Sequence, residues 1–341
     1  MIRIYWQFRS WFVWTLVVAT ALVFTIADSS FTTLGNLFSV SESFAPLALT
    51  AVGLGVIMIA GEFDLSLAGV IPLAALLTVK LSVHGIVFGM VVAILAAIMV
   101  GLINGFLTSH YEIPSLAVTV GTLVLTIGLG FAVSSGDVVA MPNPETGLFL
   151  SKAVTPFLSL RGLVFLSLIL LVAGLMRFTW FGVGIYSSGS DALRARALGV
   201  SRTRMLLLAF GTGGLFFGLT GSLQGLVLAS GTAGGDQSLL LQAATAAIVG
   251  GVALSGGRGS VVGITGGALL LSVLSNGLSL LGASTSVVQL ANGLLLLGVV
   301  LLDSPVARRL DLRMERVVQG RIEEDPSSPP NQERRVDKPR P

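Results

Sequence analysis

The chain has 341 residues, 53% of them hydrophobic and 11% charged, with 42 glycines, no cysteine and a formal net charge of +3. Together with a mean hydropathy of +0.91, this excludes an ordinary soluble domain and places the chain in a membrane. The missing cysteines exclude disulfides, thiolate metal sites and cysteine nucleophiles.

A helical span needs about 20 apolar residues to cross the hydrocarbon, and the apolar matter before Asp303 accommodates ten. The expected spans run Trp11 to Ala27, Ala45 to Ala60, Ala68 to Lys80, Ile86 to Gly105 and Leu116 to Ser134. Five more run Arg161 to Phe181, Met205 to Ala229, Gln242 to Leu254, Ser260 to Leu281 and Ser286 to Leu302. The fold expectation is an all-α polytopic transmembrane bundle over residues 1–303. Residues 304–341 form a cytoplasmic basic tail, with a surface helix first and a polar, proline-rich, disordered end.

The first 27 residues also fit a secretory signal, but the following ADSSF lacks a small-x-small cleavage pattern, so a retained span is expected. Lysine and arginine accumulate on cytoplasmic loops. With the N-terminus inside, Arg3, Arg9, Arg177, Arg194, Arg196, Arg202, Arg204 and Arg258 fall inside, against Lys80, Lys152 and Arg161 outside. Arg308, Arg309, Arg313 and Arg316 place the tail inside too, so the number of spans is even and both termini are cytoplasmic. That parity keeps the short stretches flanking GEFDLS as separate crossings. The turn between them lies near the cytoplasmic side or dips into the bilayer.

Gly85, Asn104, Gly105, Gly121 and Leu125 recur at a constant offset as Gly257, Asn276, Gly277, Gly293 and Leu297. The two sets lie five spans apart, which reverses orientation, as an inverted repeat of two five-helix halves requires. Chance matching of glycine and leucine is the alternative. Gly214-x-x-x-Gly218, Gly221-x-x-x-Gly225 and Gly263-x-x-x-Gly267 suit close helix packing inside the bundle, or a dimer contact.

Within GEFDLSLAG, Asp64 has two readings: a cap for a helix beginning near Leu65, or, with Ser66, a wall of the substrate path. Asn104 and Asn276 each precede a glycine and suit helix termination, with polar contact to solute as the other reading. His84 and His110 have no partner spacing for a metal, so no metal site is expected. SGGRGS at 255–260 lacks the spacing and lysine of a phosphate loop and reads as a tight turn. The chain is expected to bind no cofactor, and any ATP to be hydrolysed by another polypeptide. In GSDALRARALGV, Asp191 suits an N-cap and Gly199 a stop for a two-turn helix that would not persist alone in water. It is either a docking helix or an ordinary positive-inside loop.

These residues resemble the membrane permeases of ribose-type ATP-binding cassette importers. The family's G-G-x-D-L-S-x-G is similar to GEFDLSLAG, and its G-x-x-N-G before an I-P segment to GLINGFLTSHYEIP. Its cytoplasmic helix resembles GSDALRARALGV, and its G-G-x-x-x-x-G-G-R-G-S is matched in full by GGVALSGGRGS. Two departures stand out: Asp191 replaces the usual Asn, and Leu240 and Gln242 occupy acidic positions of an E-L-D-A pattern.

The resemblance implies a bacterial inner-membrane subunit that is not an enzyme and forms the pathway for a sugar or similar small polar solute. A separate ATPase, an external solute-binding protein and a second permease copy or homologue are its implied partners, beside membrane lipid and without nucleic acid. Asp191, Ala195, Arg196 and Gly199 would couple to the ATPase. Gly61, Gly250, Gly251, Gly256, Gly257 and Arg258 would be structural, and Asp64, Ser66, Asn104 and Asn276 would line the substrate path. The alternative is an ion-coupled secondary transporter with Glu62 or Asp64 as the coupling acid. A membrane-embedded enzyme would need a catalytic cluster that neither histidine supplies.

Overall fold

The computed structural model describes residues 2–190, 195, 199–299 and 301, with side-chain surroundings from residue 12 onward. Met1–Leu296 is one compact unit; of Leu297–Pro341, the described residues 297–299 and 301 are helical. The expected tail at 304–341 lies outside the described residues.

The helices are α1 (Ile2–Ala27), α2 (Leu34–Ile59), α3 (Leu67–Leu81), α4 (Ile86–His110), α5 (Ser115–Ser134), α6 (Glu145–Leu150), α7 (Leu160–Phe178) and α8 (Trp180–Ser190). They continue as α9 (Arg202–Leu228), α10 (Gln237–Val249), α11 (Val261–Leu280) and α12 (Thr285–Val299). Each expected span overlaps one of these helices, but Arg161 to Phe181 crosses the break at Thr179 between α7 and α8, and Gln242 to Leu254 runs past the end of α10 at Val249 into the following turn. Seven helices among the described residues are long and apolar enough to cross a membrane, and Phe12–Ala27, Gln237–Val249 and Thr285–Val299 are shorter apolar helices of 10–17 residues. The bundle is therefore all-α and polytopic.

Many of the starts are set by short polar side chains that accept otherwise orphaned N–H groups. Thr33, Ser159, Ser201, Asp236 and Ser260 cap α2, α7, α9, α10 and α11 in this way. α2 and α9 lie at the centre. α2 is buried continuously from Leu47 to Ile59, whereas α4 turns Val87, Val91, Leu95 and Met99 outward.

The packing repeats itself. α3 packs on α4 and both pack on α9; α10 packs on α11 and both pack on α2; α2 meets α9 between them. Each half thus lends its long helix to the other half's hairpin, in keeping with two related halves. The paired glycines make this approach close. An added Cβ would lie 2.5 Å from the Ala97 carbonyl oxygen at Gly214 and 2.2 Å from that of Ile71 at Gly221. At Gly267 it would lie 2.1 Å from the Ala246 carbonyl oxygen. The three glycine pairs serve packing within the bundle.

The connections gather at two ends. At one, strands β1 (Val139–Ala140) and β4 (Ser230–Gly231) pair, and Lys80 Nζ donates to the Val133 carbonyl; a small hairpin, β2 (Ala153–Thr155) with β3 (Leu158–Ser159), precedes α7. At the other, the 60–66 turn meets the start of α5, the end of α8 and the 250–260 turn. α2 and α3 are separate helices that reverse at 60–66.

Candidate functional site

Three glycine-bearing motifs, far apart in sequence, meet backbone to backbone at the second of these ends. Gly257 N–H donates to the Ile59 carbonyl at 2.8 Å. A Cβ on Gly189 would lie 2.0 Å from the Ile59 carbonyl oxygen and 2.7 Å from Gly257 N, and one on Gly256 would lie 2.6 Å from Gly61 Cα. The 250–260 turn holds its shape through Gly251, Gly256, Gly257 and Gly259, all at positive φ, where side chains are strained. Ala253 N–H closes it onto the Arg258 carbonyl at 3.1 Å, Gly250 packs on Gly263, and Tyr186 Oη donates to the Gly259 carbonyl at 2.9 Å.

The neighbouring 60–66 turn carries the acids. Arg202 Nη2 and Glu62 Oε1 form an ion pair at 2.5 Å. Asp64 is 1% exposed. Its Oδ1 accepts from Ser66 N–H at 2.8 Å and Ser66 Oγ at 2.6 Å, and Asn104 Nδ2 donates to Ser66 Oγ at 3.0 Å. Burial pushes the Asp64 carboxyl, outside the helices that span, up to about 6 against the pull of its Ser66 hydrogen bonds. The carboxylate holds the turn just ahead of α3, which begins at Leu67 rather than near Leu65. Phe63 N–H donates to Ser115 Oγ at 3.2 Å, tying the turn to α5 as well.

Asp64, Ser66 and Asn104 therefore come together, while Asn276 lies elsewhere, in a reciprocal 3.0 Å pair with Asn36. Neither asparagine ends a helix: α4 continues to His110 and α11 to Leu280. Each is held by a hydrogen bond across the bundle, so the following glycine serves packing instead. Gly105 lies against Leu206 and Gly277 against Phe24. Of the residues expected to couple to an ATPase, Ala195 is 2% exposed and Gly199 sits at φ +79°. Asp191 and Arg196 lie outside the described residues.

The sequence reading missed Asp236 and Ser238. They stand at the same constant offset from Asp64 and Ser66 that relates Asn276 to Asn104, and that offset was the signal to find them. Asp236 Oδ1 accepts from Ser238 Oγ at 2.8 Å, repeating the Asp64–Ser66 hydroxyl contact, and from Leu239 N–H at 3.0 Å, which makes it the N-cap of α10, a role Asp64 does not have for α3. α10 begins inside the bundle: Asp236 N–H donates to the Ala68 carbonyl at 2.9 Å, and a Cβ on Gly235 would reach Ile127, mid-α5, at 3.0 Å. In contrast to sealed Asp64, the 234–238 segment is exposed apart from half-buried Asp236.

A family model described as the permease component of a branched-chain amino acid transport system matches residues 36–302. The chain belongs to that permease family. The permease is similar to the xylose/arabinose import permease protein XylH of Sulfolobus acidocaldarius, 31% identical over 76% of this chain and 74% of that one. It is 31% identical to the probable ABC transporter permease protein YphD of Escherichia coli, over 75% of this chain and 77% of the relative. With the autoinducer 2 import system permease protein LsrC of Yersinia pseudotuberculosis it shares 30% identity over 74% and 72%. No solved structure matches the chain. Membership agrees with the motif resemblance; three of the four motifs that carry it meet at the glycine junction, and the fourth supplies Asn104 to the turn beside it.

Proposed function

We propose that this permease is the membrane subunit of an ATP-binding cassette importer in the inner membrane, passing a sugar or similar small polar solute. The pentose and autoinducer 2 importers among its relatives support that solute class. The observation that carries the reading is the junction itself. The basic loop is rooted at Gly189 in backbone contacts shared with two of the other family motifs, as a loop receiving force from a soluble partner needs. We assign that end, and both termini, to the cytoplasm from the arginine distribution. A partner ATPase hydrolyses ATP there, a solute-binding protein delivers on the opposite side, and a second permease copy or homologue completes the path.

The path passes the 234–238 segment. Irregular backbone at membrane depth is tolerated only inside protein or along a water-filled cavity, and this segment lies at mid-α5 depth yet exposed. Of the four path residues expected from sequence, Asn104 keeps an open acceptor, its buried Oδ1 being without a partner. Asp64 and Glu62 are engaged by Ser66 and Arg202, which disfavours an ion-coupled mechanism built on them. The test of docking is Ala195→Glu combined with Gly199→Val. The permease should insert but lose ATPase association; association at the wild-type level would contradict the assignment.

A further inference from the structure

We propose that the Glu62–Arg202 ion pair transmits movement of the 189–200 loop to the 60–66 turn, whose Asp64 and Ser66 are buried, making both positioning residues for transport. The inference rests on the docking reading above. Both ends of the loop land on the same turn. At its start, Gly189 packs against the carbonyl of Ile59 and against Ala60. At its finish, the first residue of α9, Arg202, grips Glu62.

The turn is stiff enough to pass a displacement onward. Glu62 N–H donates to the Ile57 carbonyl at 3.2 Å, Phe63 N–H is held by Ser115 of α5, and Asp64 acts through Ser66 on Asn104 of α4. Glu62 is 11% exposed and Arg202 39%. The carboxylate is thus shielded from water while its partner reaches it from the open side, a setting where a charge-assisted bond outweighs an exposed pair. Gly189 is a contact that pushes; the ion pair is one that also pulls. A loop that moves both ways with an ATP cycle needs both.

The chain has no cysteine, so two labels report without background. Spin labels at Val183→Cys and Tyr111→Cys, 66% and 61% exposed, mark the base of the loop and the end of α4. The full permease, assembled with its ATPase, is compared with and without ATP and vanadate. Trapping should shift the label distance in the parent, and Glu62→Gln or Arg202→Gln should lose most of that shift with ATPase association unchanged and only a modest fall in the thermal midpoint, from the partner left unpaired. The exchange Glu62→Arg with Arg202→Glu should restore it. Lost coupling should lower the nucleotide-induced change in the ratio of the two label-distance populations by about fivefold or more, the lower end of ordinary coupling energies. A full shift in either single variant, or an exchange no better than the singles, overturns the proposal. Failure of the parent permease to bind the ATPase overturns the docking reading instead.

Discussion

Asp64 is a buried acid whose contacts are local: two bonds from Ser66, which in turn receives Asn104. Asparagine keeps an acceptor for the Ser66 N–H, so Asp64→Asn should cost about 1 kcal/mol. Leucine leaves the Ser66 N–H and the Ser66 hydroxyl proton without an acceptor and should cost about 1–3 kcal/mol for each unsatisfied donor. Thermal unfolding of the purified permease ranks the two; normal assembly of Asp64→Asn with weakened solute affinity would move the carboxylate into the solute path. The sign of the pH effect follows from burial. The folded carboxyl titrates near 6 against an ordinary 3.8, so the folded state holds its proton more tightly. That contribution is complete below about 4 and lost as pH rises through 6. The unfolding temperature of Asp64→Asn should therefore gain on the parent between pH 4 and 6.5.

Among the elements, the glycine junction is the least forgiving. Gly189→Ala places a methyl 2.0 Å from the Ile59 carbonyl oxygen and should cost about 1–3 kcal/mol by overpacking. Gly121→Ala on α5 meets nothing within 4 Å and should stay within about 0.5 kcal/mol. Equal unfolding temperatures for the two variants would contradict the junction. The spans were legible in the sequence because hydrocarbon selects apolar length, and the motifs because glycine marks close approach. Their meeting was not legible: nothing along the chain says that Gly61, Gly189 and Gly256 share one point, or that Glu62 finds Arg202. Helix ends were misplaced where polar residues continue a helix past the apolar run, as from Gly105 to His110 and back from Met205 to Arg202. Asn104 and Asn276 misled for a related reason. Asparagine followed by glycine suits a helix end, yet here each asparagine is bonded across the bundle and the helix runs on.

At the scale of the whole molecule, the two halves exchange their long helices, and α3 and α10 each carry an Asp-x-Ser sequence at their start, ahead of the helix at Asp64–Ser66 and across its first turn at Asp236–Ser238. One such sequence is sealed and the other open. Single cysteines at Gln237 and Ser238 should therefore react with a hydrophilic thiol reagent, whereas cysteines at Leu95 and Val124, outward on the apolar faces, should not. Equal reactivity at all four would remove 234–238 from the path. Reporter fusions after Leu301 and within residues 136–159 should fall on opposite sides of the membrane, and finding both on one side would break the ten-span arrangement. The central claim is that another polypeptide's ATP drives this bundle. Its most direct test is uptake by proteoliposomes holding the permease, its ATPase and its binding protein, with a panel of radiolabelled pentoses, hexoses and polyols. Accumulation of a panel member should require ATP and survive collapse of the proton gradient, whereas uptake by the permease alone that follows the gradient and ignores ATP would contradict the account.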